Sequence, residues 1–166
     1  MKMLVAASIV LSSVLLSGCA SFGNRLVLDR VGPSPRQPVI TGSHDPQGAL
    51  VVFSAFDVGI SSVARRQFSN YKILLEDGTL LKKVVNDNNG LIRGSPTQVE
   101  LPEGKYRIVA DSNGYGVVTV PVLITASRVT TVYLAARPSS VEEEELRQAD
   151  PVRLPDGAIV GWRAKK

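Results

Sequence analysis

The amino-acid sequence predicts an all-β fold, a seven-stranded antiparallel Greek-key sandwich. Short runs rich in β-branched residues recur between about residues 49 and 136, and turn-forming residues separate them. The pair Asp77-Gly78 stands between two of these runs, which is a strong signal for a β-hairpin. The chain of 166 residues is 44% hydrophobic and 20% charged, so it can fill the core of one domain.

The seven predicted strands cover residues 49–56, 71–75, 80–85, 98–101, 105–111, 117–124 and 128–135. The Asp77-Gly78 hairpin is predicted to use a type I′ turn, in which both central residues have a positive φ. Pro121 has no N–H to donate, so the sixth strand is predicted to be an edge strand or to carry a bulge. Period-two alternation predicts the inward side chains Leu50, Val52, Ile73, Leu75, Tyr106, Ile108, Val118, Val120, Val132 and Leu134.

Tyr106 is predicted to form a tyrosine corner. It lies near the start of the fifth strand, in the pattern Leu101-Pro102-Glu103-Gly104-Lys105-Tyr106. In Greek-key sandwiches a Tyr at this position turns its hydroxyl back to the backbone a few residues upstream. The alternative is a core tyrosine without that bond.

Four segments of the strand region carry a family resemblance. They are Glu103-Gly104-Lys105-Tyr106-Arg107-Ile108-Val109-Ala110, Gly114-Tyr115-Gly116, Val120-Pro121-Val122 and Thr130-Thr131-Val132-Tyr133-Leu134. Together they resemble the carboxypeptidase regulatory-like and PEGA-type domains. The resemblance implies a transthyretin-like or immunoglobulin-like sandwich that serves as an accessory or adhesion module and has no catalytic residues.

The N-terminus has the form of a secretory signal. Lys2 is followed by an apolar run over residues 4–16, which is expected to form a signal helix and is short for a membrane span. The run ends in Leu16-Ser17-Gly18-Cys19, which resembles the lipobox of bacterial lipoproteins. The resemblance implies cleavage between Gly18 and Cys19, diacylglycerol on the Cys19 sulfur and acylation of the new amine. The alternative is a free cysteine beyond an ordinary cleavage site.

The residue after Cys19 bears on the location. In Gram-negative lipoproteins, Asp at that position tends to signal retention in the inner membrane, and here the residue is Ala20. The resemblance therefore implies an outer-membrane protein facing the periplasm, if the host is Gram-negative.

The expected organisation has four parts. Residues 1–18 form the lipoprotein signal peptide, 19–48 a Pro-rich tether, 49–136 the β-sandwich domain, and 137–166 an acidic helix and C-terminal tail. The short helix is expected over residues 140–148, where Glu142–Glu145 are read as a solvated face. The tail is expected to form a small hairpin about Asp156-Gly157.

Composition and motifs argue against catalysis. The chain has one Cys and one His, so it cannot form an internal disulfide or a multi-cysteine zinc site. His44 lies in the predicted tether, which cannot hold a catalytic geometry. The segment 87–90 offers oxygen ligands but lacks the later acids of a calcium loop. The acid pairs Glu76/Asp77 and Glu100/Glu103 are expected to be solvated. We therefore predict no catalytic residue, no metal and no cofactor apart from the acyl chains.

Binding is the expected role. A formal net charge of +4, dispersed along the chain, does not favour nucleic-acid binding. Tyr115 and Trp162 are candidate rings for stacking on sugars, and the alternative for Trp162 is to seal one edge of the sandwich. The sequence predicts a lipid-anchored, non-enzymatic envelope protein with an interaction or structural module, whose partners are membrane lipid and an envelope protein or polysaccharide. The alternative is a polysaccharide-binding envelope module.

Overall fold

A computed structural model describes residues 26–35, 46–58, 66–86, 95–135 and 150–165. No helix occurs within these ranges, and the chain is built from two packed β-sheets with a small third one, so the predicted all-β sandwich is confirmed. In chain order the strands are β1 (Leu26–Val27), β2 (Val31–Gly32), β3 (Gln47–Phe53), β4 (Phe56–Val58), β5 (Arg66–Phe68), β6 (Tyr71–Leu75), β7 (Leu80–Val84), β8 (Gln98–Pro102), β9 (Gly104–Ser112), β10 (Gly116–Ile124), β11 (Val129–Tyr133), β12 (Pro151–Arg153) and β13 (Ile159–Arg163). The predicted signal helix and the helix at 140–148 lie outside the described residues.

The large sheet has eight strands in the order β12-β13-β2-β10-β9-β6-β7, with β1 also paired to β10. The small sheet has the order β11-β3-β8, and β4 and β5 form a separate hairpin. Most pairs are antiparallel, as predicted, but β1 and β2 run parallel to β10, and β11 runs parallel to β3. The structure therefore has more strands than the seven predicted, and it mixes both kinds of pairing.

The prediction that Pro121 marks an edge or bulged strand is wrong. Strand β10 is central, and its register with β9 is continuous from Gly116 to Ile124. On its other side, β1 pairs with Val118 and Thr119 while β2 pairs with Val122. Because N–H groups alternate in direction along a strand, Pro121 faces the same side as Thr119, where β1 has ended and β2 has not begun. The missing N–H therefore removes no ladder bond.

The N-terminal part of the sandwich differs from the predicted tether. Residues 26–35 supply β1 and β2, and β2 joins β13 to β10 within the large sheet. Val31 is fully buried and Leu28 is 9% exposed. The backbone N–H of Ser34 also donates to the Val129 carbonyl of the small sheet at 3.3 Å. The folded region thus begins at least as early as Leu26 and not at residue 49.

The tail is also part of the sheet. The predicted hairpin about Asp156-Gly157 is confirmed as β12 and β13, and β13 pairs with β2. Val152, Ile159 and Val160 of this hairpin are buried. The core is therefore completed by chain segments on both sides of the predicted domain 49–136.

Both Asp-Gly hairpins use the same turn, which is not the predicted type I′. Gly78 and Gly157 have positive φ values of 95° and 87°, whereas among the described residues other than glycine this occurs at Ser127 alone. Asp77 therefore has a negative φ, and its carboxylate accepts the N–H of Thr79 at 2.8 Å. This is a type I turn followed by a left-handed glycine, the usual three-residue hairpin loop. This turn needs a positive φ at one residue only, and glycine takes that position. Asp77 therefore avoids the steric strain that a positive φ would impose on it.

The core lies between the two sheets. Every side chain predicted to point inward is buried except Leu75, which is 37% exposed. The prediction that Leu75 is buried is therefore wrong. Its register with β9 is unbroken and sets it opposite the buried Tyr106, but Leu75 is the last residue of β6, and it stays exposed there. The tyrosine corner is confirmed, since the Tyr106 hydroxyl donates to the carbonyl of Pro102 at 2.9 Å.

Candidate functional site

Tyr115 lies on the turn between β9 and β10. Its backbone N–H donates to the Ser112 carbonyl at 3.3 Å, and Gly114 and Gly116 take positive φ values of 84° and 63° on either side of it. The side chain is half-buried and packs against the core. Tyr115 therefore presents only part of its ring to solvent.

Trp162 is a core residue at the end of the C-terminal hairpin. It is 5% exposed, and its Cα lies opposite Gly32 of β2 and Pro151 of β12. It borders a groove of about 650 Å³, whose lining includes Pro33, Pro35 and Leu123. A ring this buried cannot offer a face to a sugar, so the structure favours the alternative in which Trp162 seals one edge of the sandwich.

The two candidate rings do not form a common surface. Tyr115 precedes the first residue of β10, whereas the groove beside Trp162 is lined by Leu123 and Thr125 at the other end of that strand. A nine-residue strand is about 27 Å long at roughly 3.4 Å per residue. A single short sugar could not contact both rings.

The charges around the groove hold the two chain ends together. Arg163 pairs with Asp29 at 2.9 Å and with Asp150 at 2.6 Å, and these hydrogen bonds and charges raise the pKa of the Arg163 guanidinium. Arg128 donates to the Ser34 carbonyl at 2.7 Å. Asp29 precedes β2 and Ser34 follows it, so these contacts join the residues on either side of β2 to the C-terminal hairpin and to the start of β11. Both arginines therefore have structural contacts.

The acid pairs named in the sequence also have structural roles. Glu76 pairs with Arg30 at 3.0 Å, and the hydrogen bond from the backbone N–H of Thr79 lowers the pKa of Asp77. Glu103 accepts the N–H of Ala126 at 3.0 Å, while Glu100 is exposed on β8. Neither pair shares a buried cleft of the kind that glycoside hydrolysis needs.

A buried polar cluster was not predicted from the sequence. Asn86, 3% exposed, donates from Nδ2 to the Ser69 carbonyl at 2.8 Å and to the Ser54 hydroxyl at 3.3 Å. Its Oδ1 accepts the N–H of Thr97 at 2.9 Å. The amide thus links four segments: those that directly follow β3, β5 and β7, and the one that directly precedes β8. Its position directly after the predicted strand 80–85 was the signal available in the sequence.

An aromatic cluster was missed as well. Phe53 stacks on Tyr133 with ring centroids 5.1 Å apart and contacts the edge of Phe68 at 5.5 Å. Phe56 lies 4.9 Å from Phe68. Phe53 and Tyr133 are paired across β3 and β11, and the β4–β5 hairpin supplies the other two rings. This cluster fastens the hairpin to the small sheet.

Several predicted site residues lie outside the described residues: Gly18, Cys19, His44 and the segment 87–90. Within the described ranges, no group of three or more His, Cys, Asp or Glu side chains is placed to hold a metal ion. A search of the same ranges finds no helix of the length and apolarity that a membrane crossing requires.

Comparisons with protein-family models, with curated proteins and with solved structures give no match to this chain.

Proposed function

We propose that this chain is a lipid-anchored protein of the bacterial cell envelope, attached through Cys19. The observation that carries the proposal is the position of the one cysteine of the chain, directly after Leu16-Ser17-Gly18 at the end of an apolar segment. Strand β1 begins at Leu26, so a chain cleaved before Cys19 keeps every described strand. Two or more acyl chains, at about 0.8 kcal/mol per buried CH₂, make the attachment stable. Ala20 favours the outer membrane.

We infer that the sandwich is an interaction or structural module and not an enzyme. Its buried hydroxyls and amide support this, because Ser54, Asn86, Ser112 and Thr130 each bond to backbone groups. Polar groups used in this way hold loops and strands in place. The polysaccharide-binding alternative is weakened because Trp162 is buried, which leaves Tyr115 as the candidate ring.

Replacing the thiol tests the anchor. The Cys19→Ser variant should be neither acylated nor membrane-retained, because a hydroxyl cannot replace the sulfur in thioether formation. The measurement is membrane fractionation with mass spectrometry of the N-terminal peptide. A matched control, Cys19→Ser with Ser21→Cys, keeps a thiol but moves it two residues, and it should behave like the single variant. Recovery of wild-type chain in the soluble periplasmic fraction, without acyl mass, would overturn the proposal.

The module itself is tested by crosslinking. Wild-type protein and the Cys19→Ser variant are crosslinked in intact cells and purified, and the attached proteins are identified. An interaction module should give crosslinked envelope proteins that depend on the anchor. A hydrolytic activity of the purified sandwich on envelope polysaccharide would contradict the non-enzymatic role.

A further inference from the structure

The outer face of the large sheet carries a continuous row of residues across five strands. Val27 of β1 is paired with Thr119 of β10, Thr119 with Val109 of β9, Val109 with Lys72 of β6, and Lys72 with Lys83 of β7. Because side chains alternate along a strand, this row points away from the core. The neighbours of this row along the same strands are buried, so they point into the core and the row points outward. These neighbours are Val118, Ala110, Tyr71 and Val84.

One end of this face combines two cations with exposed apolar side chains. We call it the lysine–valine face, and it consists of Val27, Lys72, Lys83, Val85 and Val117. The three valines are 64%, 69% and 41% exposed in that order, and both lysines are exposed. Most of the face borders a shallow groove of about 340 Å³. Exposed valines beside paired lysines form an amphipathic surface.

Within the described residues, the two lysines of the face form no salt bridge. Lys72 and Lys83 are directly opposite each other, and like charges in that arrangement repel. Among the described residues no carboxylate lies within ion-pair distance of either ammonium group. Asp111 is the one acid among the described lining residues of the groove, so the face remains cationic overall. An anionic partner would relieve the repulsion.

The direction of β1 places its first residue at the same end of the sheet as this face. Seven residue steps separate Cys19 from Leu26, a reach of at most about 25 Å for a fully extended chain. Because β1 runs parallel to β10 and pairs with Val118 and Thr119, the chain enters β1 from the end where Val117 lies. A lipidated Cys19 would therefore lie within about 25 Å of the start of β1, beside the Val117 end of β10.

We propose that the lysine–valine face is the membrane-contacting surface of the sandwich, which rests on anionic phospholipid headgroups with its lysines on phosphates and its valines in the interface. This inference depends on the proposed anchor at Cys19. Basic side chains near an anionic bilayer are attracted within about one Debye length, roughly 8 Å at physiological ionic strength. The reach of at most about 25 Å from Cys19 holds the start of β1 near the bilayer, so the face can come within this range.

The test uses the full lipidated chain in vesicles of phosphatidylcholine with about one third phosphatidylglycerol. Acylation occupies Cys19, so Val117→Cys supplies a single thiol for a fluorophore, and Glu100→Cys supplies a matched one on β8 of the small sheet, the other side of the sandwich. Nitroxide-labelled lipids should quench the fluorophore at position 117 at least about threefold more than the one at position 100, because quenching needs contact with the bilayer. Equal quenching, or stronger quenching at position 100, would overturn the proposal.

Charge variants and a label-free measurement complete the test. Lys72→Gln with Lys83→Gln in the Val117→Cys chain should bring quenching down to the Glu100→Cys level, whereas Lys105→Gln with Lys165→Gln should leave it unchanged. In the wild-type chain, Lys72 and Lys83 should be acetylated more slowly than Lys165 on these vesicles, and about 1 M salt should abolish the difference. A chain that does not float with vesicles and carries no acyl mass overturns the anchor, and the face with it. A chain that floats but shows no protected lysine overturns the face alone.

Discussion

The hydroxyl of Tyr106 donates a hydrogen bond to the carbonyl oxygen of Pro102, four residues earlier, over 2.9 Å. Tyr106 is 7% exposed, so this hydrogen bond fixes the turn between β8 and β9 from the core side. Tyr71 offers a contrast. It is 2% exposed, and its buried hydroxyl has no hydrogen-bond partner in the described part of the chain.

Removing each hydroxyl should therefore have different effects. Tyr106→Phe keeps the ring and loses one bond, so the free energy of unfolding should fall by about 0.5–1.5 kcal/mol. Tyr71→Phe removes a hydroxyl that has no partner among the described residues, so stability should be unchanged or slightly higher. Urea titration of both variants measures the difference. A Tyr106→Phe variant as stable as the wild type would show that the corner contributes nothing.

The two tyrosines also predict how stability changes at alkaline pH. Burial raises the pKa of both phenols above the ordinary value of 10.0, and more strongly for Tyr71. Their unfolded forms ionise near pH 10 while the folded phenols stay neutral. Stability should thus be complete below that pH and decline as pH rises above it, by up to about 1.4 kcal/mol per pH unit for each such group.

Urea titrations between about pH 8 and 11 measure this decline. Tyr71→Phe should make the decline shallower, because the variant removes one group that ionises only on unfolding. An identical pH profile for Tyr71→Phe and the wild type would contradict the prediction.

Local sequence patterns predicted the features that a strand's own side chains determine, such as which face points inward. Alternation at Ile108 and Val120 gave the correct inward face, and Tyr106 gave the corner. The failures depend on neighbours that sequence spacing does not show. Pro121 is tolerated in a central strand because β1 and β2 leave a gap opposite it. Leu75, the last residue of β6, is exposed although it stands opposite the buried Tyr106.

The candidate site shows the same division. As a large ring, Trp162 could either stack on a sugar or seal one edge of the sandwich. The pairing of β13 with β2, which is not visible in the sequence, decides between these two roles. Asn86 follows the predicted strand 80–85, but its burial depends on Ser54 and Ser69, which are far from it in sequence. The lysine–valine face likewise arises from strand register and not from any run of basic residues.

Close packing at Gly161 predicts a strong effect of a single methyl group. A Cβ there would lie 2.6 Å from Cγ1 of Val31 and 2.9 Å from the carbonyl oxygen of Thr131, which belongs to the opposite sheet. Gly161→Ala should destabilise the fold by about 1–3 kcal/mol, because the backbone of β11 must shift. Gly104→Ala is the matched control, since its nearest contact is an ordinary 3.5 Å to the Tyr106 ring. Thermal unfolding of the two variants compares them, and equal melting temperatures would contradict the close approach of β13 to β11.

Substitutions at two valines test whether residues 26–35 belong to the folded sandwich or to a flexible tether. Val31 of β2 is fully buried between β13 and β10, whereas Val27 of β1 is 64% exposed. Val31→Ala removes two buried side-chain carbon atoms and leaves a cavity. It should therefore lower the free energy of unfolding by about 2 kcal/mol. Val27→Ala should change it by less than about 0.5 kcal/mol, as at other exposed sites. Urea titration of the purified chain measures both, and if the segment were a flexible tether, neither substitution would alter stability. A loss confined to Val31→Ala would show that β2 is part of the folded sandwich, well before residue 49.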